Sequence, residues 1–198
     1  MTITRFLRVL GLIAALIAAR PGGVAADGSW LDHAAPAQWN RPGLPLPTVE
    51  AMDVEVVPGR RCGATARPPE TAEDRAVAEA GWFLTGGYAS GWGVRVVAGN
   101  AAFDGMCRPM GYQFFVFVDG AFGGTLSPEP MASRYDGAGS APAVTTPEAL
   151  VAEFVRYDPG DTFCCPSGRS VAYYRIERAN AGPVVWVSVV FSQRVSPR

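Results

Sequence analysis

Apolar residues dominate the second half of the chain in short runs separated by turn residues, a pattern typical of strands. Residues 113–118 and 121–126 form two such runs, and Asp119-Gly120 lies between them. A two-residue Asp-Gly link is the strongest short-range signal for a β-hairpin, because both turn positions need positive φ. The first arm is apolar on both faces. We therefore predict that residues 113–118 form a central strand that is covered on both sides.

Several other apolar segments are rich in β-branched residues, which favours strands. They span residues 52–57, 94–98, 171–177 and 184–191. Residues 150–157 fit either a strand or a helix that begins at Pro147, and we favour the strand. The polar segment from 127 to 147 is rich in proline and glycine, and a loop of this length is often functional.

One helix is predicted in the first half of the chain. Thr71 and Asp74 have the spacing of a capping box, and apolar residues recur behind them at helical spacing. Gly86-Gly87 provides a stop, so the helix should span residues 72–84. Together, the predicted strands and helix indicate an α+β fold. We expect a single domain with an antiparallel meander sheet of five or six strands, one packed helix and stabilising disulfides.

The first 26 residues have the features of a cleaved signal peptide. Arg5 and Arg8 precede an apolar run at residues 9–19, and small residues lie just before Asp27. That run has 11 residues, fewer than the roughly 20 that a membrane span needs. We therefore predict an exported protein without a membrane span, located in the periplasm or secreted.

The remaining chain divides into an arm and a domain. Residues 27–50 are rich in proline, which disfavours helix and central strand, so they form either a linker or an arm laid along the domain. Trp30 and Trp39 either anchor this segment in an apolar groove or are exposed. Residues 51–198 are long enough for one domain with a core, and we expect a monomer.

Charge excludes several classes of partner. Cleavage after residue 26 removes three of 17 basic residues and leaves 14 against 18 acidic ones, a net charge near −4. Nucleic acids and anionic lipid surfaces require a basic patch, so neither is expected as a partner. All basic residues are arginine, and the absence of lysine excludes a Schiff-base mechanism and a Ser-Lys dyad.

Four cysteines lie in the exported part: Cys62, Cys107, Cys164 and Cys165. An even number in an oxidising compartment predicts two disulfides. We favour pairing of Cys164 and Cys165 with Cys62 and Cys107, because adjacent residues of an extended chain point to opposite faces. The alternative is a vicinal Cys164–Cys165 bond, a strained ring that would be easily reduced and could act as a redox switch or ligand platform. A metal site is disfavoured, because the chain has no Cys-x-x-Cys motif and one histidine.

Residues 72–178 resemble the LppP/LprE-type family of bacterial envelope lipoproteins. The matching features are the Phe114-Phe115 strand, the Asp119-Gly120 turn, Gly124-Thr125, and the segment from Asp161 to Cys164-Cys165-Pro166-Ser167. The resemblance implies an extracytoplasmic domain of no established molecular function, and it carries no catalytic residues to this chain. A lipoprotein needs a cysteine directly after the signal, where this chain has Asp27. We therefore expect no lipid anchor.

Catalysis is weakly supported by the sequence. The single histidine, His33, lies in the proline-rich segment, and no Gly-x-Ser-x-Gly motif occurs. Carboxylate pairs suited to glycoside hydrolysis would be Glu148 with Glu153, or Asp158 with Asp161. A hydrolase would need two such groups facing each other in a cleft with a raised pKa. We predict a protein that is not an enzyme and that holds no metal or other cofactor.

The most interesting polar positions are Arg108, Arg134, Tyr135 and Asp136. They suggest a recognition surface for an anionic group, against the alternative of an ordinary charged loop. Our main hypothesis is an exported, non-catalytic binding or structural module that acts through its loops on an envelope or extracellular partner. An apolar groove near residues 127–147 would favour it. The alternative is a thiol-disulfide or ligand-sensing protein, which requires a solvent-accessible bond between Cys164 and Cys165.

Overall fold

A computed structural model describes residues 29–49, 62, 66–86, 89–133, 136–140, 142–158, 160–162 and 164–194. The predicted signal peptide and the predicted strand at 52–57 lie outside the described residues. Within them, the chain forms two antiparallel sheets and one α-helix, so the fold is α+β and mostly β. No helix of this part of the chain is long and apolar enough to cross a membrane.

The chain order of the elements is as follows. A short 3-10 helix at Trp30–Asp32 precedes α1 (Ala72–Glu79), β1 (Phe83–Leu84), β2 (Ala89–Gly91), β3 (Val94–Phe103), β4 (Pro109–Val118), β5 (Ala121–Thr125), β6 (Ala143–Thr146), β7 (Ala149–Arg156), β8 (Gly168–Ala179) and β9 (Gly182–Arg194). The first sheet has the order β1-β3-β4-β5, with β2 also paired to β3, and the second has the order β6-β7-β8-β9.

The hairpin prediction is confirmed. Strands β4 and β5 are joined by Asp119 and Gly120, which have φ values of 50° and 81°. β4 is also central and covered on both faces: Phe114 and Val116 belong to the core between the sheets, whereas Phe115 belongs to a smaller core on the other side. The alternation of side chains along β4 therefore supplies two cores at once.

The helix begins where the capping box predicts and ends earlier than predicted. The Thr71 hydroxyl accepts from the Asp74 amide, and the Asp74 carboxylate accepts from the Thr71 amide. Burial raises the pKa of Asp74, but hydrogen bonds from Arg67 and the Glu70 amide outweigh it and lower the pKa to about 2. The helix ends at Glu79, because the chain reverses at Gly81 (φ 96°) to enter β1.

The prediction of a single meander sheet is wrong, because the chain forms two sheets. After β5, Ser127 is followed by Pro128 and Pro130, and proline lacks the amide that would continue a ladder. The second apolar face of β4 also needs a cover that a continuation of the same sheet cannot supply. β7, β8 and β9 provide it: Leu150, Tyr174 and Val185 all lie in the core between the sheets.

Residues 29–49 lie against both sheets. Leu31 is buried, and the partly buried rings of Trp30 and Trp39 pack on the core between the sheets. Buried Asn40 donates to the carbonyl of Thr125 in β5 at 2.8 Å and to that of Val185 in β9 at 2.9 Å. The arm therefore links the edges of the two sheets by hydrogen bonds.

The favoured disulfide pairing is also wrong. Cys62 bonds to Cys107, and Cys164 bonds to Cys165. Cys62 is buried and Cys107 lies in the β3–β4 turn, whereas the vicinal pair lies in the β7–β8 connection at the other sheet. Because the fold places β3–β4 and β7–β8 in different sheets, the bridges do not converge.

Candidate functional site

One concavity of the described residues is a groove of about 700 Å³, called here the arm groove. Five parts of the chain form it: the proline-rich arm, Trp82 just before β1, β3, the beginning of β4, and the end of β5 with the loop that follows it. Its lining residues are Trp39, Asn40, Leu44, Pro47, Thr48, Trp82, Ala101, Met110, Gly111, Gln113, Thr125, Pro128, Glu129, Pro130, Ala132 and Asp136. The volume lies within the range of small-molecule sites, and most of these residues are apolar.

Hydrogen bonds within the protein use the indole groups of the arm groove. The Trp39 N–H donates to the Thr125 carbonyl at 3.1 Å, and the Trp82 N–H donates to the Pro47 carbonyl at 2.7 Å. The Trp82 ring also packs edge-on against Phe115 at 5.0 Å. These contacts hold both rings in place and leave their apolar surfaces as walls of the groove.

The amide side chains of the groove are likewise engaged by the protein. Asn40 Oδ1 accepts from the Thr125 amide at 3.0 Å, in addition to the two bonds that Nδ2 donates. Gln113 donates to the Ser127 carbonyl and accepts from the Ser127 hydroxyl. Gly124 has φ 133°, and a Cβ on it would lie 2.4 Å from the Asn40 side chain. A glycine at 124 therefore lets the arm approach β5 closely.

Among the described lining residues, the charged ones are Glu129 and Asp136, both carboxylates. Glu129 is exposed, whereas Asp136 is half-buried and its carboxylate accepts from the Ala132 amide at 2.7 Å. Burial raises the pKa of Tyr112, and the negative charge of Asp136 raises it further. The Asp136 carboxylate therefore lies near Tyr112 at the beginning of β4, and both charged groups of the groove are negative.

The structure separates the sequence-predicted recognition residues. Arg108 lies in the β3–β4 turn, where its guanidinium contacts Asp104 at 2.7 Å, and Asp136 lies at the arm groove. The Ser133 hydroxyl donates to the Pro109 carbonyl, so the loop and the turn are neighbours. Arg134 and Tyr135 lie outside the described residues. The anion-recognition surface stays a prediction.

The second candidate site is the segment between β7 and β8, called here the cysteine turn (residues 157–167). Asp161 organises it: its carboxylate accepts from the Asp158 amide at 2.7 Å, and from the Ser167 amide and hydroxyl, both at 2.9 Å. These hydrogen bonds lower the pKa of Asp161, and the bond from the Asp158 amide has the largest effect. The ends of the turn are thus held together by one ionised carboxylate.

The vicinal disulfide lies at the tip of the cysteine turn, and both cysteines are exposed. The Cys165 amide donates to the Thr162 carbonyl at 2.9 Å. The Thr162 hydroxyl lies 3.0 Å from Cys164 Sγ. Because a disulfide sulfur carries no hydrogen, the hydroxyl is the donor in this contact.

The carboxylates considered for hydrolysis do not have the arrangement that a hydrolase would need. Asp158 and Asp161 both receive the Ser167 hydroxyl, at 3.4 and 2.9 Å, as part of the turn. The pKa of Asp161 is lowered, whereas the hypothesis requires a raised one. Glu153 pairs with Arg169 across two strands, and Glu148 is exposed beside β6.

Sequence reasoning missed the arm as a wall of the groove. Asn40 and Trp82 carry no motif that marks them, because their partners are 85 and 35 residues away in the chain. The one sequence feature that indicated this wall was Trp39 in a proline-rich segment, since burying a large aromatic side chain against the domain is favourable.

Comparison with known proteins gives one family. No curated protein and no solved structure matches the chain. Residues 92–179, which run from the turn before β3 to the end of β8, match the family model described as LppP/LprE lipoprotein. This segment includes the Asp119-Gly120 hairpin, Gly124 and the cysteine turn, the features on which the resemblance was based. Over these residues, which are fewer than half of the chain, the protein is similar to the LppP/LprE lipoprotein family.

Proposed function

We propose that this protein is an exported, non-catalytic binding protein of the periplasm or the extracellular space, and that its ligand site is the arm groove. The proposed ligand is a small apolar molecule that carries a positive charge. The observation that carries the proposal is the composition of the groove: apolar walls around two carboxylates, Glu129 and Asp136.

The walls support a ligand with an apolar body. The indole and amide groups of the groove already bond within the protein, and Trp82 is buried, so a ligand gains by covering the half-buried ring of Trp39 and the side chain of Met110. Burial of apolar surface contributes roughly 25 cal/mol per Å². Because these hydrogen bonds already fix the side chains that line the groove, little side-chain ordering is needed when a ligand binds.

The charges support a positive group on that ligand. Asp136 is half-buried, and a half-buried carboxylate attracts a cation more strongly than an exposed one. The aromatic ring of Trp39, which is half-buried, also favours a cation. An anionic ligand of the same shape would be repelled by Asp136 and Glu129.

The test uses three probes of equal size and different charge: phenylpropylammonium, phenylpropanol and phenylpropionate. Binding is followed by tryptophan fluorescence and by calorimetry. We expect the ammonium to bind best, and Asp136→Asn to weaken it about fivefold while leaving the alcohol unchanged. Glu70→Gln, which removes an exposed carboxylate outside the groove, is the matched control and should bind like the wild type.

Two results would overturn parts of this proposal. If none of the three probes perturbs the tryptophans, the arm groove is not a ligand site. If all three bind equally, or Glu70→Gln weakens the ammonium as much as Asp136→Asn does, the proposed charge of the ligand is wrong.

A second candidate function is thiol-disulfide exchange at the cysteine turn. The observation that favours it is the exposed Cys164–Cys165 bond, which meets both requirements of that hypothesis. Cys62, in the other bridge, is buried. We expect dithiothreitol, added to the native protein, to reduce the vicinal bond and leave Cys62–Cys107 intact in a peptide map. A vicinal bond that resists reduction until the protein unfolds would exclude this function.

A further inference from the structure

The cysteine turn is chemically asymmetric about its disulfide. The Thr162 hydroxyl donates to Cys164 Sγ at 3.0 Å. Among the described residues, no hydrogen-bond donor lies at Cys165 Sγ, whose own amide is engaged by the Thr162 carbonyl. Both cysteines are therefore exposed, but their sulfurs differ in hydrogen bonding.

This asymmetry matters because thiol-disulfide exchange treats the two sulfurs differently. A thiolate attacks one sulfur of a disulfide and the other leaves with negative charge, and the sulfur that holds the charge better leaves faster. A hydrogen bond to an ionised acceptor is roughly twice as strong as one between neutral groups. The Thr162 hydroxyl thus stabilises a leaving Cys164 more than it stabilises the intact bond.

We propose that exchange at the cysteine turn is directional: a low-molecular-weight thiol attacks Cys165 Sγ, and Cys164 Sγ leaves beside the Thr162 hydroxyl. This inference rests on the second candidate function, thiol-disulfide exchange. It adds which sulfur is attacked and assigns a role to Thr162.

The chemistry balances with two thiols. The first thiolate forms a sulfur–sulfur bond to Cys165 while the Cys164–Cys165 bond breaks, and Cys164 departs with the electron pair. A second thiolate then attacks the thiol sulfur of the mixed disulfide, which releases Cys165 as a thiolate and yields the oxidised disulfide of the small thiol. Two electrons pass from the thiols to the cysteine pair, and the two cysteine thiolates equilibrate with water protons.

The fold supports the return reaction. Asp161 bonds to both ends of the turn, through the Asp158 amide and the Ser167 amide and hydroxyl, and none of these bonds involves a cysteine. Opening the disulfide therefore leaves the turn anchored. The freed Cys164 stays near Cys165 and can displace the bound thiol, so the pair can reoxidise.

The first experiment maps the mixed disulfide on the full exported chain. The protein is treated with one equivalent of glutathione, quenched with acid, alkylated and digested, and the peptide spanning the pair is sequenced by mass spectrometry. We expect glutathione on Cys165 and the alkyl group on Cys164. Thr162→Val should remove this preference, whereas Thr162→Ser, which keeps the hydroxyl, should retain it.

The second experiment compares the two free thiols. Cys165→Ser leaves Cys164, and Cys164→Ser leaves Cys165; the ultraviolet absorbance of the thiolate is followed against pH. At neutral pH the thiolate fraction should be about fivefold larger in Cys165→Ser, and Thr162→Val in that background should abolish the difference.

The outcomes separate the two levels of the proposal. If glutathione leaves the vicinal bond intact, thiol-disulfide exchange itself fails. If the bond opens but the adduct is found equally on both cysteines, or mainly on Cys164, exchange stands and its direction is wrong. If Thr162→Val retains the preference for Cys165, the role of Thr162 is wrong.

Discussion

Two turns of this protein carry cysteines, and an aspartate organises each of them in the same way. In the β3–β4 turn, Asp104 accepts from the amides of Met106 and Arg108 and from the Arg108 guanidinium. In the cysteine turn, Asp161 accepts from the amides of Asp158 and Ser167 and from the Ser167 hydroxyl. Both carboxylates have lowered pKa values.

The turns differ in what their sulfurs reach. Cys107 bonds to the buried Cys62, 45 residues earlier, so the β3–β4 turn joins distant parts of the chain. Cys164 and Cys165 bond to each other and stay exposed. A similar local solution therefore gives a stabilising crosslink in one place and an accessible pair of sulfurs in the other. The position of the partner cysteine, rather than the turn itself, decides which.

The largest test of this comparison removes each disulfide in turn. Replacing Cys62 and Cys107 by serine should lower the free energy of unfolding by about 4 kcal/mol, because the bridge closes a loop of 45 residues. Replacing Cys164 and Cys165 by serine should change it by less than about 1 kcal/mol, because adjacent residues close no loop. Urea unfolding followed by tryptophan fluorescence measures both; equal losses would contradict the division of roles.

A smaller effect is expected from Asp104→Asn. Asparagine keeps an acceptor for the turn amides but loses the ion pair with Arg108, so we expect a loss of about 1 kcal/mol at neutral pH. Burial raises the pKa of Asp104, but its hydrogen bonds with Arg108 outweigh this and lower it from 3.8. The stabilisation is therefore present above that value and is lost as pH falls through the lowered pKa of the folded state.

The measurement for Asp104→Asn is urea unfolding at neutral and at acid pH. The difference between wild type and variant should disappear in acid, and Glu70→Gln, an exposed carboxylate, should show no difference at either pH. A difference that is independent of pH would mean that the substitution acts through packing rather than through the charge of Asp104.

The smallest effect on overall stability, and the most specific one, is expected from Asp161→Asn. The substitution weakens the acceptor that holds the cysteine turn, so a phosphine reductant should open the vicinal bond about threefold faster than in the wild type at neutral pH. The pKa of Asp161 is lowered from 3.8, mainly by the Asp158 amide. The wild-type turn should therefore loosen only as pH falls through that lowered value, where the ratio of the two rates should approach one.

Equal reduction rates at neutral pH would mean that Asp161 does not protect the bond. A phosphine is suitable because it reduces disulfides in acid, where thiols react poorly, and the ratio of rates cancels its own pH dependence. The melting temperature should stay within about 2 °C of the wild type, which separates a local from a global effect.

Local sequence signals predicted much of the fold. The Asp119-Gly120 turn, the two-faced strand before it and the capping box at Thr71 all appear as expected, because each depends on residues within a few positions of each other. Strands were also found at the segments near 94–98, 150–157, 171–177 and 184–191, with longer bounds. The helix end was wrong, since the approach of β1 to β3 favoured a reversal at Gly81 over a longer helix.

The candidate sites were only partly accessible to sequence reasoning. The presence of Asp136 and of the cysteine pair could be read from the chain, and their surroundings could not. The arm groove needs Trp39, Trp82 and Met110 in one place, and these residues come from three separate segments. The same limit explains the wrong disulfide pairing, because four cysteines allow three pairings and only the packing of the whole chain selects one.

By itself, then, the sequence determined most of the strands, the start of the helix and the sharp turns, since hydrogen bonding and backbone sterics between near neighbours settle those. Tertiary structure decided the division into two sheets, the contact of the arm with both of them through Asn40, and the separation of the two disulfides. The physical reason is burial. Each apolar face must be covered, and which distant segment covers it depends on how the whole chain packs rather than on any local pattern.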